Sequence, residues 1–140
     1  MRKLLGVLFA VALMLGAGEA SAQRQAVPIV NHVDIVIDRG SAPPLSAQQV
    51  RQAIISAPAP RKWEFSDAGP GRLVATLVVR GKHTVVTDIT YGPARYSIVY
   101  RDSTNMKYGP GPEGKGVIHP FYNQWVDELR DAIRTQLAKT

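Results

Sequence analysis

The chain has 140 residues, no cysteine and a formal net charge of +6. Its length suits one domain, and without cysteine these residues can form neither a disulfide nor a cysteine-linked lipid anchor. The basic residues are scattered, which is typical of a solvated surface and argues against a nucleic-acid-binding protein.

The first 22 residues have the pattern of a secretory signal peptide. Positive Met1-Arg2-Lys3 precedes an apolar stretch from Leu4 to Ala17, and Ala20-Ser21-Ala22 fits the small-residue rule for cleavage. The apolar stretch is shorter than the roughly 20 residues that span a bilayer, so a retained membrane anchor is the weaker reading. We expect cleavage after Ala22, no membrane span afterwards, and a periplasmic or secreted protein.

Residues 23–30 show no periodic pattern and are expected to be a flexible N-terminal tail. A single domain is expected over residues 31–140. It opens with a strand from His32 to Asp38, in which apolar and polar residues alternate. This alternation places His32 on the polar face as a lone exposed histidine.

A short helix follows the first strand. Ser46 and Gln49 have the spacing of a capping box. Leu45 and Val50 occupy the positions of a hydrophobic staple around the same helix start. The prolines from Pro58 onward end the helix.

Three strands then follow in succession, after a possible short strand at Trp63–Ser66. They cover residues 72–80, 83–91 and 96–102, each with alternating apolar residues and each bounded by turn residues. This arrangement predicts an antiparallel meander.

The pattern also predicts how these strands pair. A four-residue loop pairs Tyr91 with Tyr96, which sets Ile89 opposite Ile98. For the preceding hairpin we prefer a three-residue loop, Gly81 to His83, that pairs Val79 with Val85. A two-residue Gly81-Lys82 loop is the alternative.

The segment from Ser103 to Val117 is rich in glycine and proline and is interpreted as a flexible connector. It lacks the sequence of a phosphate-binding loop. The last helix begins near Pro120, a favourable first helical residue, and runs to about Ala138. Its apolar stripe, which includes Trp125, is expected to cover the sheet.

The element order is therefore β-α-β-β-β-α. It predicts an α+β fold, a two-layer sandwich in which two helices cover one face of an antiparallel β-meander. The other face carries Val74, Val78, Val86 and Val99, which would mark a contact surface if all four were exposed together.

Polar residues suited to a site fall at the end of the meander and at the start of the last helix. The candidates for ligand or partner contact are Tyr100, Asp102, Ser103, His119, Tyr122 and Asn123. Asp102, Ser103 and His119 are the residue types of a nucleophilic triad, but no Gly-x-Ser-x-Gly elbow is present. A turn at Asp102-Ser103 and a helix cap at His119 explain the same residues, so no catalytic residue is assigned.

The three histidines are His32, His83 and His119. Their spacing matches no metal-binding pattern. We therefore expect no metal site and no other cofactor.

Two segments carry a resemblance to a family. Tyr100-Arg101-Asp102-Ser103-Thr104-Asn105-Met106-Lys107-Tyr108 and Ile118-His119-Pro120-Phe121-Tyr122-Asn123-Gln124-Trp125 resemble a group of small exported proteins and lipoproteins of proteobacteria, with a Tyr-x-Asp-Ser-x-Asn and Ile-His-x-x-Tyr-Asn-x-Trp pattern. The resemblance extends over about residues 63–133. Met106 departs from the usual leucine, and the lipobox cysteine of many members is absent. The group brings no assigned function with it.

These observations favour a non-enzymatic binding or interaction module of the cell envelope, with an unknown envelope protein or a small ligand as partner. A small hydrolase that uses Asp102, Ser103 and His119 is one alternative. A binder of anionic envelope polymers, acting through the basic surface, is another.

Overall fold

The computed structural model describes residues 25–140, and the expected signal peptide, residues 1–22, lies outside them. The described part contains two α-helices, α1 (Ala47–Ile55) and α2 (Pro120–Ala138), and a 3-10 helix (Pro112–Gly114). Its strands are β1 (Val27–Pro28), β2 (His32–Val36), β3 (Glu64–Asp67), β4 (Arg72–Val79), β5 (His83–Tyr91), β6 (Arg95–Thr104), β7 (Gly109–Pro110) and β8 (Gly116–Ile118). Neither α-helix of this part is long and apolar enough to cross a membrane.

The strands form two antiparallel sheets. The larger has the order β2-β6-β5-β4-β3, and the smaller has the order β1-β8-β7. Strand β3 pairs with β4, β4 with β5 and β5 with β6, so these four strands form the predicted meander. The α+β class is therefore confirmed, and the possible strand near Trp63 is present as β3. The small sheet is an addition that the sequence pattern did not predict.

One face of the large sheet carries the core. Its buried residues on β4, β5 and β6 are Leu73, Ala75, Leu77, Val85, Thr87, Ile89, Tyr96 and Ile98. Helix α1 adds Val50, Ala53 and Ile54, and helix α2 adds Tyr122, Trp125, Val126, Leu129, Ala132, Ile133 and Leu137. Full burial of one large apolar side chain contributes roughly 1.5–3 kcal/mol to stability. Because α2 buries more side chains than α1, it contributes more of the apolar burial that covers the sheet. Trp125 is only 3% exposed, which confirms the predicted core face of α2.

Local signals set the helix starts as expected. Ser46 caps α1 through Oγ, which accepts the N–H of Gln49 at 3.1 Å, and the Gln49 side chain accepts the N–H of Ser46 at 2.9 Å. This is the predicted capping box. Helix α2 starts at Pro120, and His119 is its N-cap.

The strand pairing agrees with the prediction in one hairpin and differs in the other. Tyr91 pairs with Tyr96 and Ile89 with Ile98, as predicted. In the β4–β5 hairpin, Val79 pairs with His83 rather than Val85, so the predicted register is wrong by two residues. The buried face is unchanged, because a shift of two residues preserves the alternation. The loop has three residues as expected, but it runs from Arg80 to Lys82, and Arg80 and Gly81 both adopt positive φ, 57° and 68°.

A bulge in β2 overturns the predicted position of His32. Asp34 has a φ of 53°, and the pairing of β2 with β6 shifts between His32 and Ile35. The extra residue moves His32 to the face covered by α2, where its side chain is 13% exposed. His32 Nε2 donates to Asp127 Oδ1 at 3.1 Å, and Arg130 donates to His32 Nδ1 at 3.4 Å. His32 is therefore a packed, hydrogen-bonded residue rather than a lone exposed histidine.

Two segments expected to lack regular structure are partly built into the two sheets. Strand β6 continues to Thr104, and β7, the 3-10 helix and β8 occupy much of the expected connector from Ser103 to Val117. In the expected N-terminal tail, β1 pairs with β8, and Ile29 donates its N–H to the Gly116 carbonyl at 3.1 Å. Strand β8 of the connector therefore pairs with β1 on one side and with β7 on the other.

The second face of the large sheet is not a uniformly exposed apolar surface. Val78 is 54% exposed, whereas Val74, Val86 and Val99 are partly buried. The four valines are therefore not exposed together. A groove of about 300 Å³ on this face contains Val99 and is bordered by Asp88 and Arg101, which form an ion pair at 2.8 Å.

Candidate functional site

A second bulge places two of the candidate residues side by side. Val86 pairs with Asp102 and Thr87 with Tyr100, so Arg101 is the extra residue in β6. Tyr100 and Ser103 consequently lie on the same face, and their hydroxyls are hydrogen-bonded at 2.9 Å. Asp102 accepts the N–H of Ser103 at 2.8 Å through Oδ1. Both contacts are local to the strand end.

Tyr100 is the centre of an aromatic cluster. It stacks on Tyr108 with ring centroids 4.8 Å apart, and it meets Tyr122 edge-on at 5.6 Å. Burial raises the pKa of Tyr122 well above its ordinary value of 10.0, and the neighbouring Tyr100 adds to the shift. The Tyr122 hydroxyl has no hydrogen-bond partner among the described residues. The cluster joins the strand end, the connector and α2 through ring contacts.

The remaining candidates also contact backbone groups. His119 Nδ1 accepts the N–H of Phe121 at 3.0 Å, which is the capping bond of α2. The His119 N–H donates to the Met106 carbonyl at 2.8 Å. Asn123 accepts from Val30 N–H and donates to the Pro28 carbonyl, both at 3.0 Å.

These contacts give a structural role to several residues of the Tyr100–Tyr108 and Ile118–Trp125 segments. Asn105 adds to them from the connector, with a φ of 57°. Its side chain donates to the Lys82 carbonyl at 2.9 Å, and its own carbonyl accepts from His83 Nδ1 at 2.8 Å. The connector is thereby fixed to the β4–β5 hairpin. One candidate, His119, also lines the cavity between that hairpin and α2.

This cavity has a volume of about 210 Å³. Its lining residues are Arg61, Val79, Arg80, His83, Met106, His119, Phe121, Gln124 and Trp125. It is smaller than the roughly 300–1,000 Å³ of sites for drug-sized ligands, so it suits a smaller molecule. We call it the hairpin–helix cavity.

Aromatic rings form one wall of the hairpin–helix cavity. The His119 and Phe121 ring centroids are 4.7 Å apart, and those of Phe121 and Trp125 are 5.7 Å apart. The Pro120 start and the helical turn after it set this spacing, because residues four apart lie on one face of a helix. Such a wall offers a flat apolar surface to a ligand.

Two arginines supply the positive charge of the cavity. The guanidinium carbon of Arg61 lies 5.4 Å from the Trp125 ring centroid, within the range of a cation–π contact. Arg61 Nε is also 3.4 Å from Glu128 Oε1. Arg80 lines the cavity from the tip of the hairpin.

The two histidines of the cavity have different proton positions. His83 Nδ1 must carry a proton, because its partner, the Asn105 carbonyl, can only accept. His119 Nδ1 must be unprotonated, because it accepts from the Phe121 N–H. The proton of the neutral His119 ring is therefore on Nε2.

Sequence reasoning placed one residue of this cavity among the candidates, His119, and missed the others. Arg61 lies in the connection before β3, whereas Arg80 and His83 lie at the β4–β5 hairpin, and no local pattern brings these two places together. The only local indication of the cavity in the sequence is the Arg80-Gly81-Lys82 turn, which places a charged residue at the tip of the β4–β5 hairpin. In the structure this residue lines the cavity together with residues at the start of α2. The described residues contain no group of three or more metal-ligating side chains.

Comparison with known proteins found no protein similar to this chain. No protein-family model matches the chain, and neither the curated proteins nor the solved structures gave a match.

Proposed function

We propose that the protein is an exported, non-enzymatic binding protein that holds a small ligand in the hairpin–helix cavity. The observation that carries this proposal is the composition of the cavity wall. An apolar, largely aromatic surface from Met106, Phe121 and Trp125 faces a few polar groups from Arg61, Arg80 and His83. This combination is typical of small-molecule sites.

Export is supported by the sequence of residues 1–22, which carries the signal-peptide pattern. Membership of the group of small exported proteins is proposed from the Tyr100–Tyr108 and Ile118–Trp125 segments. The mass of the protein recovered from the envelope of its host tests export. A chain that starts at Gln23 is expected, and a chain that retains Met1 would contradict it.

The binding function is tested by two-dimensional ¹⁵N–¹H NMR during a screen of small neutral and charged aromatic fragments. At least one fragment should shift the amide signals of Phe121, Gln124 and Trp125 together with those of Arg80 and His83. The amides of Thr90 and Tyr91, at the end of β5 opposite the hairpin, serve as the internal control. If no fragment of either kind shifts the cavity signals, the proposed function is wrong.

A further inference from the structure

The charged side chains that line the hairpin–helix cavity are both arginines. Arg61 and Arg80 line it, and no aspartate or glutamate is among its lining residues. In an apolar, partly enclosed site such a pair of guanidinium groups favours an anionic ligand. The planar guanidinium matches carboxylate and phosphate oxygens with paired hydrogen bonds.

The two arginines are not equally neutralised. Arg61 has a counter-charge in Glu128, at 3.4 Å from Nε. Arg80 makes no ion pair with any carboxylate in residues 25–140. Arg80 is therefore the lining charge with the most to gain from an anion.

Arg80 also sits where the backbone favours another residue type. Its φ of 57° is left-handed, and its neighbour Gly81 has a φ of 68°. Turns of this kind favour Asn, Asp or Gly at both positions. A side chain held in this conformation at a cavity is an indication of function rather than of local stability.

We propose, on the basis of the binding function above, that the ligand of the hairpin–helix cavity is a small aromatic or otherwise flat organic oxyanion. Its carboxylate or phosphate group binds Arg80 and Arg61. Its apolar body lies against Phe121 and Trp125. The cavity volume of about 210 Å³ restricts the ligand to roughly the size of a single substituted ring.

The test compares matched probes: benzoate, phenyl phosphate and their neutral counterpart benzamide, each titrated into the protein and followed by amide shifts at the cavity. Benzoate or phenyl phosphate should bind about tenfold or more tightly than benzamide, the difference expected of a charge-assisted hydrogen bond. The preferred anion shows whether the site is built for a carboxylate or a phosphate.

Two matched pairs of variants test which charge binds the anion. Arg80→Asn should weaken anion binding about tenfold or more, leave benzamide binding unchanged, and keep or raise the melting temperature, because Asn suits the left-handed turn. Lys82→Asn, which removes the same charge from an exposed residue of the same turn that does not line the cavity, should leave anion binding unchanged within about twofold. Arg61→Gln and Lys62→Gln form a second matched pair.

The outcomes separate this inference from the proposed function. If benzamide binds the cavity as tightly as both anions, the cavity is a binding site but the anion inference is overturned. If Arg80→Asn weakens benzamide and the anions equally, Arg80 has a structural role and the inference is overturned again. If neither anion binds, the inference is wrong, and the neutral fragments of the wider screen decide the binding function.

Discussion

Asn123 holds Val30 from the first turn of helix α2, with Oδ1 accepting the Val30 N–H at 3.0 Å. Its amide nitrogen donates to the Pro28 carbonyl at 3.0 Å. Because one side chain satisfies a donor and an acceptor of the same segment, it fixes the end of β1 against the start of α2. The contact explains why an asparagine, with one donor and one acceptor group, suits this position.

Asn123→Ala should release this segment. Loss of two partly exposed hydrogen bonds is expected to lower the unfolding free energy by about 1–2 kcal/mol. Hydrogen exchange of the Val30 amide should accelerate more than that of the Tyr91 amide. Asn123→Asp is the control, since it keeps the acceptor for Val30 but places a carboxylate against the Pro28 carbonyl. Equal exchange of Val30 in the wild type and in Asn123→Ala would contradict this role.

His119 is expected to stabilise the fold as the N-cap of helix α2. His119→Ala removes the acceptor for the Phe121 N–H and should lower the unfolding free energy by about 1 kcal/mol. His119→Asn supplies a capping oxygen and should restore most of the loss. Urea unfolding of the three proteins measures this. If Asn does not rescue the Ala variant, the stability contribution of His119 comes from its ring contacts instead.

Tyr122 makes the stability of the fold sensitive to alkaline pH. Burial raises the pKa of its hydroxyl above the ordinary value of 10.0. The unfolded chain therefore releases this proton at a lower pH than the folded chain does. Its contribution is fully present below about pH 10 and is lost as the pH rises further.

Tyr122→Phe should remove this part of the pH dependence. At neutral pH the change should be neutral or stabilising by up to about 1 kcal/mol, because the hydroxyl is buried without a hydrogen-bond partner in the described residues. Unfolding free energies at pH 7 and at pH 10.5 measure both effects. Tyr100→Phe, which loses the Ser103 bond, should instead destabilise at pH 7. A steeper alkaline loss in Tyr122→Phe than in the wild type would refute the assignment.

Two glycines of the connector should respond differently to alanine. A Cβ at Gly111 would lie 2.5 Å from Val117 Cγ1 and 2.6 Å from the Lys115 carbonyl oxygen. Gly109 has open space at the same point. Gly111→Ala is therefore expected to destabilise by about 1–3 kcal/mol, and Gly109→Ala by much less. Thermal unfolding compares them, and similar melting temperatures for the two variants would show that the β7–β8 segment adjusts freely.

Local patterns predicted the features that depend on neighbours in sequence. The capping box of Ser46 and Gln49 and the start of α2 at Pro120 follow from side chains within one helical turn. The buried faces of β4 and β5 follow from alternation, which is independent of the exact pairing. This is why the faces were right even though the β4–β5 register was wrong by two residues.

Features that depend on distant residues were not predictable in this way. The bulge at Asp34 is supported by Ser97, whose Oγ accepts the Asp34 N–H at 2.8 Å from the neighbouring strand β6. Simple alternation through Asp34 puts His32 on the wrong face. The hairpin–helix cavity also depends on residues that are distant in sequence, because Arg61, Arg80 and Trp125 come together only when α2 packs on the sheet.

The pairing of β1 with β8 sets an order of events for folding. Val27 meets Ile118, so the first described strand pairs with a segment made almost at the end of the chain. Closing so long a loop is entropically unfavourable until the meander and α2 are in place, so we expect this pairing to form last. Pulse-labelling during refolding should protect the Tyr91 amide, bonded within the meander, before the Ile29 amide, which donates to the Gly116 carbonyl of β8. Simultaneous protection would mean that β1 pairs with β8 in the same cooperative step that forms the core.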